Sequence, residues 1–141
     1  MKYANFIAHG AKNNNFFSLD SRDNCNYPFW LLREKLKNIG IELNTEDVNL
    51  GREVDFEIHT YDNNRSARIC YLFLWEANEI NPGNNERALY KNYKKIFSWN
   101  DDLVKEEGFI KLEHRADSPV PKTLCIADVE EIYTSIQRIR F

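Results

Sequence analysis

The fold is decided by one stretch, which runs Tyr71-Leu72-Phe73-Leu74-Trp75-Glu76-Ala77-Asn78-Glu79. Its first half is typical of a buried parallel strand, because such strands are nearly continuous apolar runs. The run stops at Glu76, and Asn81-Pro82-Gly83-Asn84 then breaks the chain. Ligands of open α/β sheets bind in the crevice at the carboxyl ends of the strands. Glu76 is therefore the first candidate for chemistry.

Strand and helix patterns alternate on both sides of this stretch. Strands are predicted at residues 3–8, 41–44, 54–60, 68–75, 95–99 and 109–112, with a further strand-like segment at 123–127. Helices are predicted at 27–39, at 86–93 and from Val129 onward. This alternation predicts an α/β fold, a Rossmann-like three-layer sandwich with a mostly parallel sheet and right-handed crossovers. Residues 1–118 are expected to form that domain, and 119–141 a linker, strand and helix that begin another.

The helix at 27–39 has the clearest signals. Pro28 occupies its first turn, and Gly40 follows its end as a C-cap. One apolar face recurs at helical spacing, made by Phe29, Leu32, Leu36 and Ile39. The asparagine-rich segment 11–24 before it is predicted to be a loop in which Phe16 and Phe17 are exposed. A loop of this length in a compact domain is usually functional.

Composition excludes several classes of protein. The chain has 141 residues, the size of one domain, and a net charge of −3, which lacks the basic excess of a nucleic-acid binder. No apolar stretch approaches the ~18 residues of a membrane span, and the N-terminus does not resemble a signal peptide. The three cysteines form neither a disulfide framework nor a zinc pattern. Cys70 and Cys125 are expected to be buried thiols in a reducing cytoplasm.

Common catalytic and cofactor motifs are missing from the sequence. It contains no Gly-x-Gly-x-x-Gly, no phosphate-binding loop, no His-Glu-x-x-His, no Cys-x-x-Cys and no Gly-x-Ser-x-Gly. The histidines His9, His59 and His114 are scattered along the chain. We therefore expect neither a metal site nor a cofactor bound by this chain.

Glu76 is predicted to be a general base, which must hold its carboxylate close to a reacting hydroxyl. The alternative is a solvated strand-end carboxylate paired with Arg87. The other candidates are expected to contact a substrate, for example the hydroxyls or the ring face of a sugar: His9, Asn14, Asn24, Asn78, Glu79 and Trp99. Each also has an ordinary structural interpretation, namely a structural histidine, turn amides, a solvated acid or a core tryptophan.

Four segments, taken in order, resemble a known family. They are Arg22-Asp23-Asn24-Cys25-Asn26-Tyr27-Pro28-Phe29-Trp30-Leu31-Leu32, Leu72-Phe73-Leu74-Trp75-Glu76, Tyr93-Lys94-Lys95-Ile96-Phe97-Ser98-Trp99-Asn100-Asp101-Asp102-Leu103-Val104 and Glu131-Ile132-Tyr133. They resemble the N-terminal half of glycosyltransferase family 10, the α-1,3-fucosyltransferases. The segment that ends in Trp99-Asn100-Asp101-Asp102-Leu103-Val104 is the most specific part of the resemblance.

The resemblance implies a GT-B architecture, in which an acceptor-side domain faces a donor domain that binds GDP-fucose. It implies a metal-free, inverting transfer with Glu76 as the base, acting on bacterial surface glycans such as lipopolysaccharide. The expected location is the cytoplasm, with peripheral attachment at the inner face of the bacterial membrane. The expected partners are a glycan acceptor and a donor-binding domain or chain.

The chain departs from that family near its end. The expected Asn-Lys signature is replaced by Ala127-Asp128-Val129, and these 141 residues are expected to lack the donor-binding domain. A domain that holds only the acceptor lacks half of the positioning that transfer requires. Two alternatives therefore stay open. One is a non-catalytic glycan- or protein-binding domain derived from such an enzyme. The other is a receiver- or flavodoxin-like signalling domain. A receiver domain needs a cluster of acidic residues after its first strand, however, and this chain has His9-Gly10 there.

Overall fold

A computed structural model describes residues 1–20, 26–61, 67, 69–74, 90–98, 105, 109–111 and 126–138. Six strands in these residues form one sheet in the order β2-β1-β3-β4-β5-β6. The strands are β1 (Lys2–Ile7), β2 (Ile41–Thr45), β3 (Phe56–His59), β4 (Ile69–Leu74), β5 (Lys95–Ser98) and β6 (Phe109–Lys111). All five neighbouring pairs are parallel. The predicted α/β, Rossmann-like class with a parallel sheet is confirmed.

Two α-helices, α1 (Tyr27–Lys37) and α2 (Ile126–Gln137), pack together on one face of the sheet. The core there contains Phe29, Leu32 and Leu36 from α1 and Val129, Ile132 and Ile136 from α2. Gly40 follows α1 with a φ of 82°, a conformation that suits glycine at a helix C-cap. No helix in the described ranges is long and apolar enough to cross a membrane.

Three predictions about the helices were wrong in detail. Helix α1 ends at Lys37, so Ile39 lies beyond it and is 41% exposed. Helix α2 already includes residues 126–127, which had been assigned to a strand, and Asp128 lies in its first turn. A short apolar run such as Leu124-Cys125-Ile126 fits a strand or a buried helix equally well. Of the helix predicted at 86–93, residues 86–89 lie outside the described ranges, Tyr90 is helical, and residues 91–92 form a turn.

The loop after β1 folds back on the core, so the predicted exposure of Phe16 and Phe17 was wrong. A 3₁₀ turn at Asn15–Phe17 brings both rings against Phe6, with centroid distances of 5.4 and 5.6 Å. Phe17 is only 4% exposed. Aromatic pairs at these distances contribute beyond their buried area, which favours this arrangement over a solvated loop.

The second face of the sheet carries a row of polar side chains. Asn44 of β2, Asn5 of β1, Glu57 of β3 and Cys70 of β4 are cross-strand neighbours in register, and all four are buried. Apolar side chains continue this face toward β5, namely Leu72, Leu74, Tyr90, Tyr93 and Ile96. Strand β3 is therefore buried on both faces, and its polar residues lie inside the protein.

Asn44 of this row makes four side-chain hydrogen bonds. Its Oδ1 accepts hydrogen bonds from Asn14 Nδ2 and from the Arg33 guanidinium, both at 3.0 Å. Its Nδ2 donates to Glu42 Oε1 at 3.2 Å and to Asn49 Oδ1 at 3.1 Å. One side-chain amide therefore joins helix α1, strand β2 and the segments that follow β1 and β2.

Tyr71 gives a prediction about stability at alkaline pH. Its hydroxyl is buried and has no hydrogen-bond partner among the described residues, and burial raises its pKa above the ordinary value. The folded state therefore keeps the phenol protonated where the unfolded chain ionises it, so stability falls as pH rises above about 10, by up to ~1.4 kcal/mol per pH unit. We expect Tyr71→Phe to remove this decline and to stabilise the protein by about 1 kcal/mol at neutral pH.

Urea denaturation at several pH values from neutral to strongly alkaline checks this prediction. The control is Tyr27→Phe, because Tyr27 is 38% exposed on α1 and should leave the alkaline decline unchanged. An equal alkaline decline in wild type and Tyr71→Phe would contradict the assignment.

Candidate functional site

The strands that follow β1 in the chain lie on both sides of it, so the strand order reverses between β1 and β3. The chain passes from β1 through α1 to β2 on one side, and β3 lies on the other side of β1. In open α/β sheets, a crevice that binds ligands opens at such a topological switch point, outside the carboxyl ends of the two strands. We call the space beyond the ends of β1 and β3 the switch-point crevice.

Two aromatic rings mark this crevice. The imidazole of His9, two residues after β1, stacks on the phenol ring of Tyr61, two residues after β3, with centroids 3.8 Å apart and planes 10° apart. Thr60 N donates to Ile7 O at 3.0 Å, which holds the two strand ends together. His9 is exposed and Tyr61 is partly buried. The pair offers an aromatic surface and polar ring edges, both of which suit a sugar.

Asn14 attaches the loop after β1 to the end of β2. Its backbone is left-handed, with a φ of 56°. Its N–H donates to Thr45 Oγ1 at 2.9 Å, and its Oδ1 accepts from Thr45 N at 2.8 Å. Asn14 therefore uses its amide oxygen and one amide hydrogen to fix the loop over the end of β2. Its predicted contact with an acceptor sugar stays a prediction.

Asp47 strengthens the same attachment. Its carboxylate accepts a hydrogen bond from Asn13 N at 2.8 Å. Hydrogen bonds from the Thr45 hydroxyl and from Asn13 N lower the pKa of this carboxyl below its ordinary value. The loop thus keeps its position over β2 at neutral pH, and the His9–Tyr61 ring pair lies beyond the ends of β1 and β3.

Most of the predicted site residues lie outside the described ranges: Asn24, Glu76, Asn78, Glu79 and Trp99. Two of them closely follow strands of the sheet. Glu76 comes two positions after Leu74, where β4 ends, and Trp99 comes directly after Ser98, where β5 ends. Because the strands are parallel, β4 and β5 end at the same edge of the sheet as the switch-point crevice.

Sequence analysis missed a second group of side chains, which lies inside the protein. Glu57, His59 and Cys70 place a carboxylate oxygen, an imidazole nitrogen and a sulfur within 4.8 Å of one another. The expected burial of the Cys70 thiol is confirmed. The signal in the sequence was weak: Glu57 and His59 are two residues apart, hence on one face of a strand whose other face carries Phe56 and Ile58.

A cavity also lies at the opposite edge of the sheet, between the start of β2 and helix α1. Its volume is about 310 Å³, and it is lined by Met1, Arg33, Glu34, Lys37, Glu42 and Leu43. The lining charges have both signs, so they favour neither an anion nor a cation. This cavity adds nothing to the site at the carboxyl edge.

Comparison with known proteins gave no match to a family model, to a curated protein or to a solved structure.

Proposed function

We propose that the chain is the acceptor-binding half of an inverting, fucosyltransferase-like glycosyltransferase that acts on bacterial surface glycans. The observation that supports this most is the shared carboxyl edge of the parallel sheet. The His9–Tyr61 ring pair lies at that edge, and Glu76 follows the strand β4 that ends there. An aromatic surface and a carboxylate are together a suitable combination for binding a sugar and taking a proton from its hydroxyl.

In this proposal the acceptor sugar lies in the switch-point crevice against the ring pair. Glu76 takes the proton from one acceptor hydroxyl as that oxygen bonds to the anomeric carbon of the donor sugar. The bond from the anomeric carbon to the diphosphate breaks on the opposite face, so the configuration inverts and GDP leaves with the electron pair. The products are the fucosylated glycan, GDP and the protonated carboxyl group.

The donor GDP-fucose would be bound by a separate half, supplied as a further domain or another chain. Residues 119–141 are proposed to lead toward that half. Helix α2 of this segment packs on α1 through Val129, Ile132 and Ile136. A protein of this kind would work in the cytoplasm at the inner face of the bacterial membrane, where nucleotide sugars and lipid-linked glycans meet.

Binding measurements on the chain alone test the crevice. Titration calorimetry with a panel of neutral oligosaccharides of galactose, glucose and N-acetylglucosamine should detect an acceptor, and GDP-fucose should not bind. We expect Tyr61→Ala to weaken acceptor binding about five- to tenfold, because the sugar loses its stacking surface.

Tyr27→Ala is the matched control, because Tyr27 is an exposed tyrosine on α1 that packs on Trp30. It should leave the affinity unchanged. Equal acceptor affinity in Tyr61→Ala and wild type would place the sugar elsewhere. Acceptor binding without turnover, after a donor-binding half is added, would favour the non-catalytic alternative.

A further inference from the structure

The buried group on the second face of the sheet combines three kinds of metal ligand. His59 Nε2 lies 2.9 Å from Glu57 Oε2, and Cys70 Sγ lies 3.6 Å from the same oxygen. The side chains of Glu57 and His59 are fully buried, and Cys70 is 2% exposed. Ionisable residues rarely occupy such positions unless their charge is compensated.

We propose that Glu57, His59 and Cys70 bind a Zn²⁺ ion that links strand β3 to strand β4. Nothing in this site overlaps the switch-point crevice, and the proposal does not depend on the proposed function. The ligand atoms would be one carboxylate oxygen of Glu57, Nε2 of His59 and the thiolate sulfur of Cys70.

Distances favour this assignment. Zinc binds oxygen and nitrogen at about 2.0–2.2 Å and sulfur at about 2.3 Å, so tetrahedral ligand atoms lie roughly 3.3–3.7 Å apart. The distance from Cys70 Sγ to Glu57 Oε2, 3.6 Å, falls within that range, and the distance from His59 Nε2 to the same oxygen, 2.9 Å, lies below it. All three atoms lie within 4.8 Å of one another. Parallel pairing of Glu57 with Cys70 fixes the two strands that supply the ligands, so little movement is needed.

Charge favours a divalent ion. A carboxylate and a thiolate together carry two negative charges, and a neutral imidazole adds none, so Zn²⁺ would make the buried group neutral. Among the described side chains, the Glu57 carboxylate accepts a hydrogen bond from Asn5 Nδ2 at 3.5 Å and contacts the neighbouring imidazole and thiol. Removing a charged group from water is costly, and full compensation by the ion reduces that cost.

The identity of the ion follows from the ligands. Thiolate and imidazole ligands suit Zn²⁺, whereas Mg²⁺ and Ca²⁺ prefer sites made only of oxygen atoms. The ring of His59 also presents Nε2 to the other two ligands, while its buried Nδ1 has no hydrogen-bond partner among the described residues. Three protein ligands leave one coordination position for water or another group.

The test uses the full chain after treatment with a chelator. Titration with Co²⁺ should give one equivalent of a tetrahedral complex, with visible d–d bands and a thiolate charge-transfer band in the near ultraviolet, and Zn²⁺ should displace it. Zn²⁺ at about 100 times its Kd should raise the Tm by roughly 8 °C, and Mg²⁺ should not. We expect Cys70→Ser to lose the charge-transfer band and to weaken Zn²⁺ binding by at least about a hundredfold.

The matched control is the double variant Cys25→Ser, Cys125→Ser, which removes the other two thiols and should keep the spectrum. A Co²⁺ complex of wild type without a thiolate band would overturn the proposal, as would a band that persists in Cys70→Ser. If Cys70→Ser does not fold, X-ray absorption spectroscopy of the wild-type protein loaded with Zn²⁺ identifies the ligand atoms instead. One sulfur ligand would support the site, and a shell of only nitrogen and oxygen would overturn it.

Discussion

Replacing Glu76 with glutamine is expected to lower the transfer rate about 10²- to 10⁴-fold once a donor-binding half is present, because glutamine cannot accept the proton of the acceptor hydroxyl. Glutamine keeps the size and hydrogen-bonding reach of the side chain, so acceptor binding should change little. The rate constant for transfer would therefore fall while the acceptor Kd stays close to its wild-type value. A coupled assay of GDP release, together with calorimetry, measures both quantities.

The matched control for this variant is Glu46→Gln. Glu46 is an exposed carboxylate that directly follows β2, so it lies at the same edge of the sheet. This variant should keep full activity, which would separate a loss of the base from a general loss of negative charge at that edge. Full transfer activity in Glu76→Gln would show that the base has been assigned to the wrong residue.

The second large effect concerns stability. We expect Asn44→Ala to lower the free energy of unfolding by about 3 kcal/mol, because it removes four hydrogen bonds. It also leaves Oδ1 of the buried Asn49 without a donor among the described residues. Such a loss corresponds to a fall in Tm of roughly 10 °C. In urea denaturation the midpoint should decrease while the slope m stays constant, since the exposed surface of the unfolded state is unchanged.

Asn38→Ala controls for the loss of an asparagine amide. Asn38 is exposed at the end of α1, so this variant should stay within about 0.5 kcal/mol of wild type. If Asn44→Ala were as stable as Asn38→Ala, the hydrogen-bond network around Asn44 would not contribute to the fold.

Local patterns were sufficient to predict the class of fold. The apolar run before Trp75 indicated a central strand, and Phe29, Leu32 and Leu36 indicated the buried face of α1, because periodicity alone reports which side chains are inside. Long-range packing could not be predicted in this way. Phe16 and Phe17 follow three asparagines, and only the position of Phe6 explains why their rings are buried.

The site was only partly predictable for the same reason. His9 was singled out because it ends a strand, but its partner Tyr61 was not, since no local signal places β3 beside β1. Glu57, His59 and Cys70 likewise come together through the pairing of β3 with β4. The order of strands in a sheet depends on crossovers and not on the residues within each strand, so sites formed between strands are hidden from a single sequence.

The hydrogen bonds along β2 have a consequence for self-association. Strand β2 is an edge strand of the sheet. The unpaired backbone N–H and C=O groups of an edge strand can pair with a strand from another chain. Here the Arg33 side chain donates to Leu43 O at 2.9 Å, and the Asn14 side chain accepts from Thr45 N. An incoming strand would have to displace both side chains before it could pair. The protein thus carries its own protection against fibre-like growth from this side of the sheet.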